Sequence, residues 1–136
     1  MKRSRLKRKT PLRKTRRKKS LRKQLWPEFS KLIRARDKRC LKGGDCGGPL
    51  QGSHILPKGQ YPLLELYPLN VKTLCWRHHW WWHHNPLEAQ AWLVRTLPTH
   101  WLTMLMAAKA DSLPRKGMTE QAIRAEWTQF GLGGGR

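Results

Sequence analysis

All three cysteines and five of the six histidines of this 136-residue chain fall between Cys40 and His84. No other feature restricts the fold as much, because residues of these two kinds crowded together are drawn to shared centres. Three thiols are an odd number, which does not suit a disulfide framework. Thiolate and imidazole together are the ligand set of zinc, which takes four of them in a tetrahedron.

The cysteines and one histidine form two pairs. Cys40 and Cys46 flank a glycine-rich loop, and Cys75 is followed three residues later by His78. The two pairs bracket the histidine-rich stretch and form a candidate structural zinc site. Gly43, Gly44, Gly47 and Gly48 let the backbone turn around an ion without Cβ clashes. A domain this small has a modest core and gains much from such a staple. The alternative is three buried free thiols behaving as small apolar residues.

His54, His79, His83 and His84 remain. Residues 49–56 and 69–74 read as short strands, joined by a loop over 57–68 that holds three prolines and Gly59. His54 then ends the first strand and Asn70 begins the second. Residues 76–84 read as a helix. On it His79 and His83 are four apart, so their rings point the same way, a standard arrangement for a divalent metal. His84 points about 100° away from His83.

The order His54, Asn70, His79, with His83 four residues on, resembles the HNH motif of the ββα-metal nucleases. The stretches Ser53-His54-Ile55-Leu56-Pro57-Lys58-Gly59 and Asn70-Val71-Lys72-Thr73-Leu74-Cys75 resemble the zinc-stapled branch of that superfamily. With its basic N-terminus the chain is similar to small phage recombination-associated HNH proteins of the NinG kind. The likeness spans about residues 34–86. It implies that His54 is the general base that activates water. It implies that Asn70 holds the loop and orients the His54 region, and that His79 and His83 bind a catalytic Mg2+, Mn2+, Ni2+ or Zn2+. One position departs from the pattern. Many such enzymes carry Asp or His as a metal ligand before the catalytic histidine, and here Ser53 stands there. The chemistry fits on its own terms. A neutral histidine can take a proton from water near neutral pH, and a metal ion can stabilise both the charged phosphate and the leaving oxygen. Lys58 and Arg77 are candidates for phosphate contacts.

Charge points to the same class of partner. The chain carries 29 Lys and Arg against 8 Asp and Glu, a formal net charge of +21. Residues 1–23 contain 14 of those cations, no acid and few apolar side chains. They are expected to be disordered alone and to bind the DNA backbone, with Arg13, Lys14, Arg16, Arg17, Lys18 and Lys19 central to the arm. No apolar run is long enough to cross a membrane, and no apolar segment follows the N-terminal charges as in a secretory signal. A cytoplasmic location is expected, in the bacterial host if the chain is phage-encoded.

Helices are expected around the central stretch. Residues 27–37 read as a helix with Pro27 in its first turn, Phe29, Leu32 and Ile33 on its apolar face, and Lys31, Arg34 and Arg36 facing away. Asn85-Pro86-Leu87-Glu88 reads as a capped helix start, with Leu87, Ala91 and Val94 following at helical spacing. Trp101, Leu102, Leu105 and Met106 mark another helix. Thr119 caps a last one bearing Ile123, Trp127 and Phe130. Trp92, Trp101 and Trp127 read as core, and Trp80, Trp81 and Trp82 read mainly as packing residues.

The expected architecture is therefore α+β: a small zinc-stapled ββα-metal core with flanking helices and a disordered basic N-terminal tail. Its parts are a tail over 1–23, a nuclease core with its preceding helix over 24–86, C-terminal helices over 87–132 and a loose end over 133–136. The expected activity is cutting or nicking of duplex or branched DNA, with recombination proteins as partners and no membrane. Two other readings stay open: a zinc-stabilised DNA-binding or recombination accessory protein without catalysis, and an RNA-binding protein associated with ribosomes.

Overall fold

A computed structural model describes residues 18–133. The first helix, α1 (Leu21–Asp37), starts earlier than Pro27. Ser20 Oγ accepts from the Lys23 amide at 3.3 Å and caps it, and Pro27 lies inside the helix. Leu25, Phe29 and Ile33, spaced four apart, are the buried stripe. Half-buried Leu21 packs against the same core, so the gain in apolar burial extends the helix back through residues expected to belong to the tail. Arg36 does not face away. Its guanidinium donates to the carbonyls of Pro68 and Val71, each at 2.8 Å, and pairs with Asp37. Asp37 in turn accepts from the Thr73 amide at 2.9 Å, which locks the end of α1 onto the sheet.

That sheet has two antiparallel strands, β1 (Leu50–His54) and β2 (Val71–Cys75), with Leu50 opposite Cys75 and His54 opposite Val71. Residues 69–70, expected as strand, belong instead to a 3-10 turn over Pro68–Asn70. Every residue of β2 is buried, because helices cover both of its faces. On one side Val71 packs with Phe29 and Ile33 of α1 and with Trp127 of α5 (Glu120–Gln129). On the other, Leu74 packs against Trp92 and Leu93 of α3 (Pro86–Thr96).

The helix α2 (Trp76–His84) follows β2 without a loop. Asn85 then caps differently from expectation. Its side chain makes no bond at the start of α3; it donates backward to the Trp81 carbonyl at 3.1 Å. The inward face of α3 is Ala89, Trp92 and Leu93 rather than Leu87, Ala91 and Val94. Leu87 and Val94 are outward, at 84% and 66% exposure. The indole of Trp92 meets those of Trp81 and Trp82 edge-on, and burying that large surface sets the rotation of the helix.

The next helix, α4 (Thr99–Ala110), buries Leu105 and leaves Met106 outward. Half-buried Trp101 donates from Nε1 to the Leu69 carbonyl at 2.7 Å. Thr119 caps α5 by accepting from the Ala122 amide, and Ile123 and Trp127 are buried as expected. Trp127 stacks on Phe29 and donates to the Leu66 carbonyl. The observed architecture is thus α+β, a small two-stranded sheet enclosed by helices. Among the described residues no helix is long and apolar enough to cross a membrane.

Candidate functional site

The junction of β2 and α2 carries two groups of side chains. One comprises Cys40 after α1, Cys46 in the following loop, Cys75 at the end of β2 and His78 in the first turn of α2. Their ligand atoms lie within 4.8 Å of one another. His78 Nδ1 is 3.3 Å from Cys40 Sγ, 3.6 Å from Cys46 Sγ and 3.3 Å from Cys75 Sγ. In a tetrahedron with ordinary zinc bond lengths, neighbouring sulfur and nitrogen ligands stand about 3.5 Å apart. The cluster is therefore compatible with a structural metal such as zinc. Local backbone bonds shape it. Cys75 Sγ caps α2 by accepting from the His78 amide, and the amides of Trp76 and Arg77 donate to the carbonyls of Pro49 and Gly47. Gly43 and Gly44 both have positive φ, which turns the chain back between Cys40 and Cys46.

The second group opens into a cleft of about 760 Å3. His54 reaches it from the end of β1, and His79 and His83 reach it from α2. His79 Nδ1 meets Gln51 Oε1 at 2.6 Å. Its Nε2 is thereby aimed at His83 Nε2, 3.0 Å away. Two imidazole nitrogens on one ion, at right angles and with bonds of about 2.1 Å, would stand about 3.0 Å apart. Burial, with the neighbouring His83, Lys72 and His54, pushes His79 down to about 4, so its lone pair is available at neutral pH.

His54 is held on two sides. Its ring stacks on Trp26 with centroids 4.8 Å apart, and Nε2 lies 3.0 Å from the Glu65 carbonyl. A carbonyl only accepts, so Nε2 carries the hydrogen and Nδ1 keeps the lone pair. Burial pushes His54 down to about 4. The Glu65 carbonyl opposes that shift, and Lys58 and Lys72 reinforce it. The ring is thus a neutral base throughout the physiological range. Asn70 is fully buried behind it. Its Oδ1 accepts from the Leu56 amide at 2.7 Å, and its Nδ2 donates to the carbonyls of Leu56 and Leu64. One side chain thereby ties the chain on either side of the 57–63 loop to the start of β2.

Lys58 and Arg34 line the cleft, and none of its lining residues is an Asp or Glu. Arg77 does not line it. It lies on another side of α2, 2.8 Å from the exposed carboxylate of Asp45. Lys18 and Lys19 are exposed just ahead of α1. Arg13, Lys14, Arg16 and Arg17 lie outside the described residues, as does most of the segment expected to be a disordered arm.

Sequence reasoning missed Lys72. It is fully buried, sits opposite Ser53 in the sheet, and donates to Ser53 Oγ at 3.2 Å. Its ammonium also lies over the Trp82 ring, 3.3 Å from the centroid. Burial drives its pKa well below the usual lysine value, partly opposed by Asp37. Ser53 is therefore occupied by an internal partner, and the His79–His83 pair has no third protein ligand beside it: among the described residues the Cys/His cluster is the one group of three or more ligands. The signal for Lys72 was present. In an alternating strand it shares a face with Leu74, which is an inward position.

No family model, no curated protein and no solved structure matches this chain.

Proposed function

We propose that this chain is a metal-dependent DNA endonuclease or nickase of the HNH type, acting in DNA recombination or processing. The observation that carries the reading is one cleft lined by His54, whose Nε2 is tied to the Glu65 carbonyl so that Nδ1 keeps its lone pair, and by the paired His79 and His83. A divalent ion held by that pair would stabilise charge on the phosphate and on the leaving oxygen. His54 Nδ1 takes a proton from water, and the water oxygen attacks phosphorus as the opposite P–O bond breaks. The Glu65 carbonyl holds the ring in the required tautomer and stabilises the imidazolium that forms. Trp26 fixes the ring plane, and Asn70 fixes the loop that leaves His54. Lys58 and Arg34 attract the substrate backbone to a cleft without carboxylates. The likeness to recombination-associated phage HNH proteins supplies the proposed setting in a bacterial host cytoplasm.

The test is incubation of purified protein with plasmid DNA and Mg2+, Mn2+, Ni2+ or Zn2+. Nicking with at least one ion that disappears in His54→Ala is expected. No nicking with any ion, or undiminished nicking by the variant, overturns the proposal. A second reading, a zinc-stabilised DNA-binding accessory protein without catalysis, is favoured by one observation: Lys72 engages Ser53, which leaves a pair of protein ligands rather than three. It predicts salt-sensitive DNA binding with no cleavage.

A further inference from the structure

Two of the eight tryptophans are left half in solvent on a single helix. Trp76 and Trp80 are 55% and 54% exposed, one helical turn apart on α2. Trp81 and Trp82 pack inward, so the triple-tryptophan run is not wholly a packing device. At 100° per residue, the open arc of α2 runs in the order His79, His83, Trp76, Trp80, His84, Arg77. It begins at the paired histidines of the cleft and ends at a guanidinium.

The indoles are held in place. A Cβ on Gly48 would fall 2.6 Å from Trp76 Cβ, and Gly48 has φ +79°, so a glycine is what allows the loop to lie against Trp76. The Trp76 amide donates to the Pro49 carbonyl at 2.9 Å. His84 Nδ1 donates to the Trp80 carbonyl at 2.7 Å, and the two rings stack at 3.9 Å with 14° between their planes. Trp80 is thus backed by a second aromatic ring.

We propose that this arc is a stacking platform for unpaired bases of the DNA strand whose phosphate enters the cleft, so that the substrate carries a single-stranded segment beside the cut. The proposal rests on the nuclease reading for its placement at the cleft. Charge argues for nucleic acid as the occupant: the chain has a net charge of +21, and the cleft where the arc begins is lined by Arg34 and Lys58 with no carboxylate. Continuity argues for the same strand, because His79 and His83 occupy the neighbouring positions of the same helix. Stacking argues for unpaired bases. Every base offers a flat face to an indole, but in a duplex those faces are already covered by neighbouring pairs.

The test uses the full chain without added divalent ion. Fluorescence anisotropy follows binding of one labelled DNA oligonucleotide, as single strand and as duplex, and of the RNA of the same sequence. Trp76→Ala/Trp80→Ala is expected to lose about 10- to 100-fold in affinity for the single strand. Its loss on the duplex is expected to stay within about 2-fold, because phosphate contacts dominate there. Trp80→Phe keeps most of the single-strand affinity. Equal losses on both DNA forms, no loss on either, or tighter binding of the RNA than of the single-stranded DNA overturns the proposal. So does sedimentation showing that the double variant dissociates a dimer, which would make the arc an interface between copies. Trp76 touches the Gly48 loop, so melting is measured alongside, and Trp80→Ala alone carries the test if the double variant does not fold. Absence of nicking with every ion, alongside the expected anisotropy result, sinks the nuclease reading and leaves the platform standing. Normal nicking with no single-strand loss sinks the platform alone.

Discussion

His78 and His79 are neighbours in the chain and serve opposite environments. His78 turns into a closed group with three cysteines around it. His79 turns into an open cleft and meets one other histidine. The closed group has the four soft ligands that a structural ion needs, contributed by three separate segments of chain. An ion there would tie α1, the glycine loop and the β2–α2 junction together. The open group has two ligands, a nearby neutral base and room for water and substrate. Saturated coordination suits holding a fold, and incomplete coordination suits chemistry. One short helix presents both groups because successive residues are rotated by about 100°.

The sharpest way to break this division is to remove one ligand from each side. Cys75→Ser is expected to abolish cooperative folding or to lower the melting temperature by about 15 °C or more, since metal binding at such a site is folding free energy. His54→Ala is expected to lower nicking about 10²–10⁴-fold. Its melting temperature should fall by only about 8 °C, the cost of one hydrogen bond and the stacking on Trp26. Equal melting losses, read by circular dichroism, would erase the distinction between a structural and a chemical side.

Asn70→Ala comes next. It strips partners from the Leu56 amide and from two buried carbonyls, so a loss of about 3 kcal/mol is expected in urea unfolding. Nicking should fall with it, because the loop after His54 loses its anchor. A smaller effect is expected from Lys72→Met, which keeps the core filled and removes a buried amine whose protonated form opposes positive charge at the paired histidines. Affinity for Mn2+, measured by titration calorimetry, should rise about 10-fold. An unchanged affinity would show that Lys72 does not limit metal binding.

The smallest effect concerns pH. Because burial holds His54 down to about 4, the base is already neutral at pH 6. Nicking should therefore stay flat between about pH 6 and 8, whereas an unperturbed histidine would be half protonated near pH 6.5. The stability sign follows from the same shift. The unfolded chain binds the proton more readily, so His54 contributes stability that is present above the ordinary histidine pKa and is lost as pH falls toward about 4. A melting temperature that rose on acidification through that window would contradict it.

Much of the frame was legible because it depends on local rules. Thr119 capped α5, Pro86 began α3 directly after Asn85, and residues 76–84 formed a helix with His79 and His83 on one side. The errors came where packing outweighed local preference. Ser20 and Leu25 drew α1 back past Pro27. Trp92 outweighed Leu87 and Val94 in rotating α3, because its indole found two others across the interface. Arg36 looked like a surface cation by spacing, yet unpaired carbonyls at Pro68 and Val71 captured it.

The sequence by itself determined which residues were available: the Cys/His inventory, its pairwise spacing, and the basic excess. Spacing along a chain sets which rings share a helix face, and that much is geometry of the helix alone. The tertiary structure brought the Cys40–Cys46 loop onto the Cys75–His78 pair and opened one cleft to His54, His79 and His83. It also decided that Lys72 is buried against Ser53 and that Trp80 stays half in solvent. Those outcomes depend on which surfaces meet across 20 to 40 residues of intervening chain. Burial and desolvation are properties of the assembled interior, and no local rule contains them.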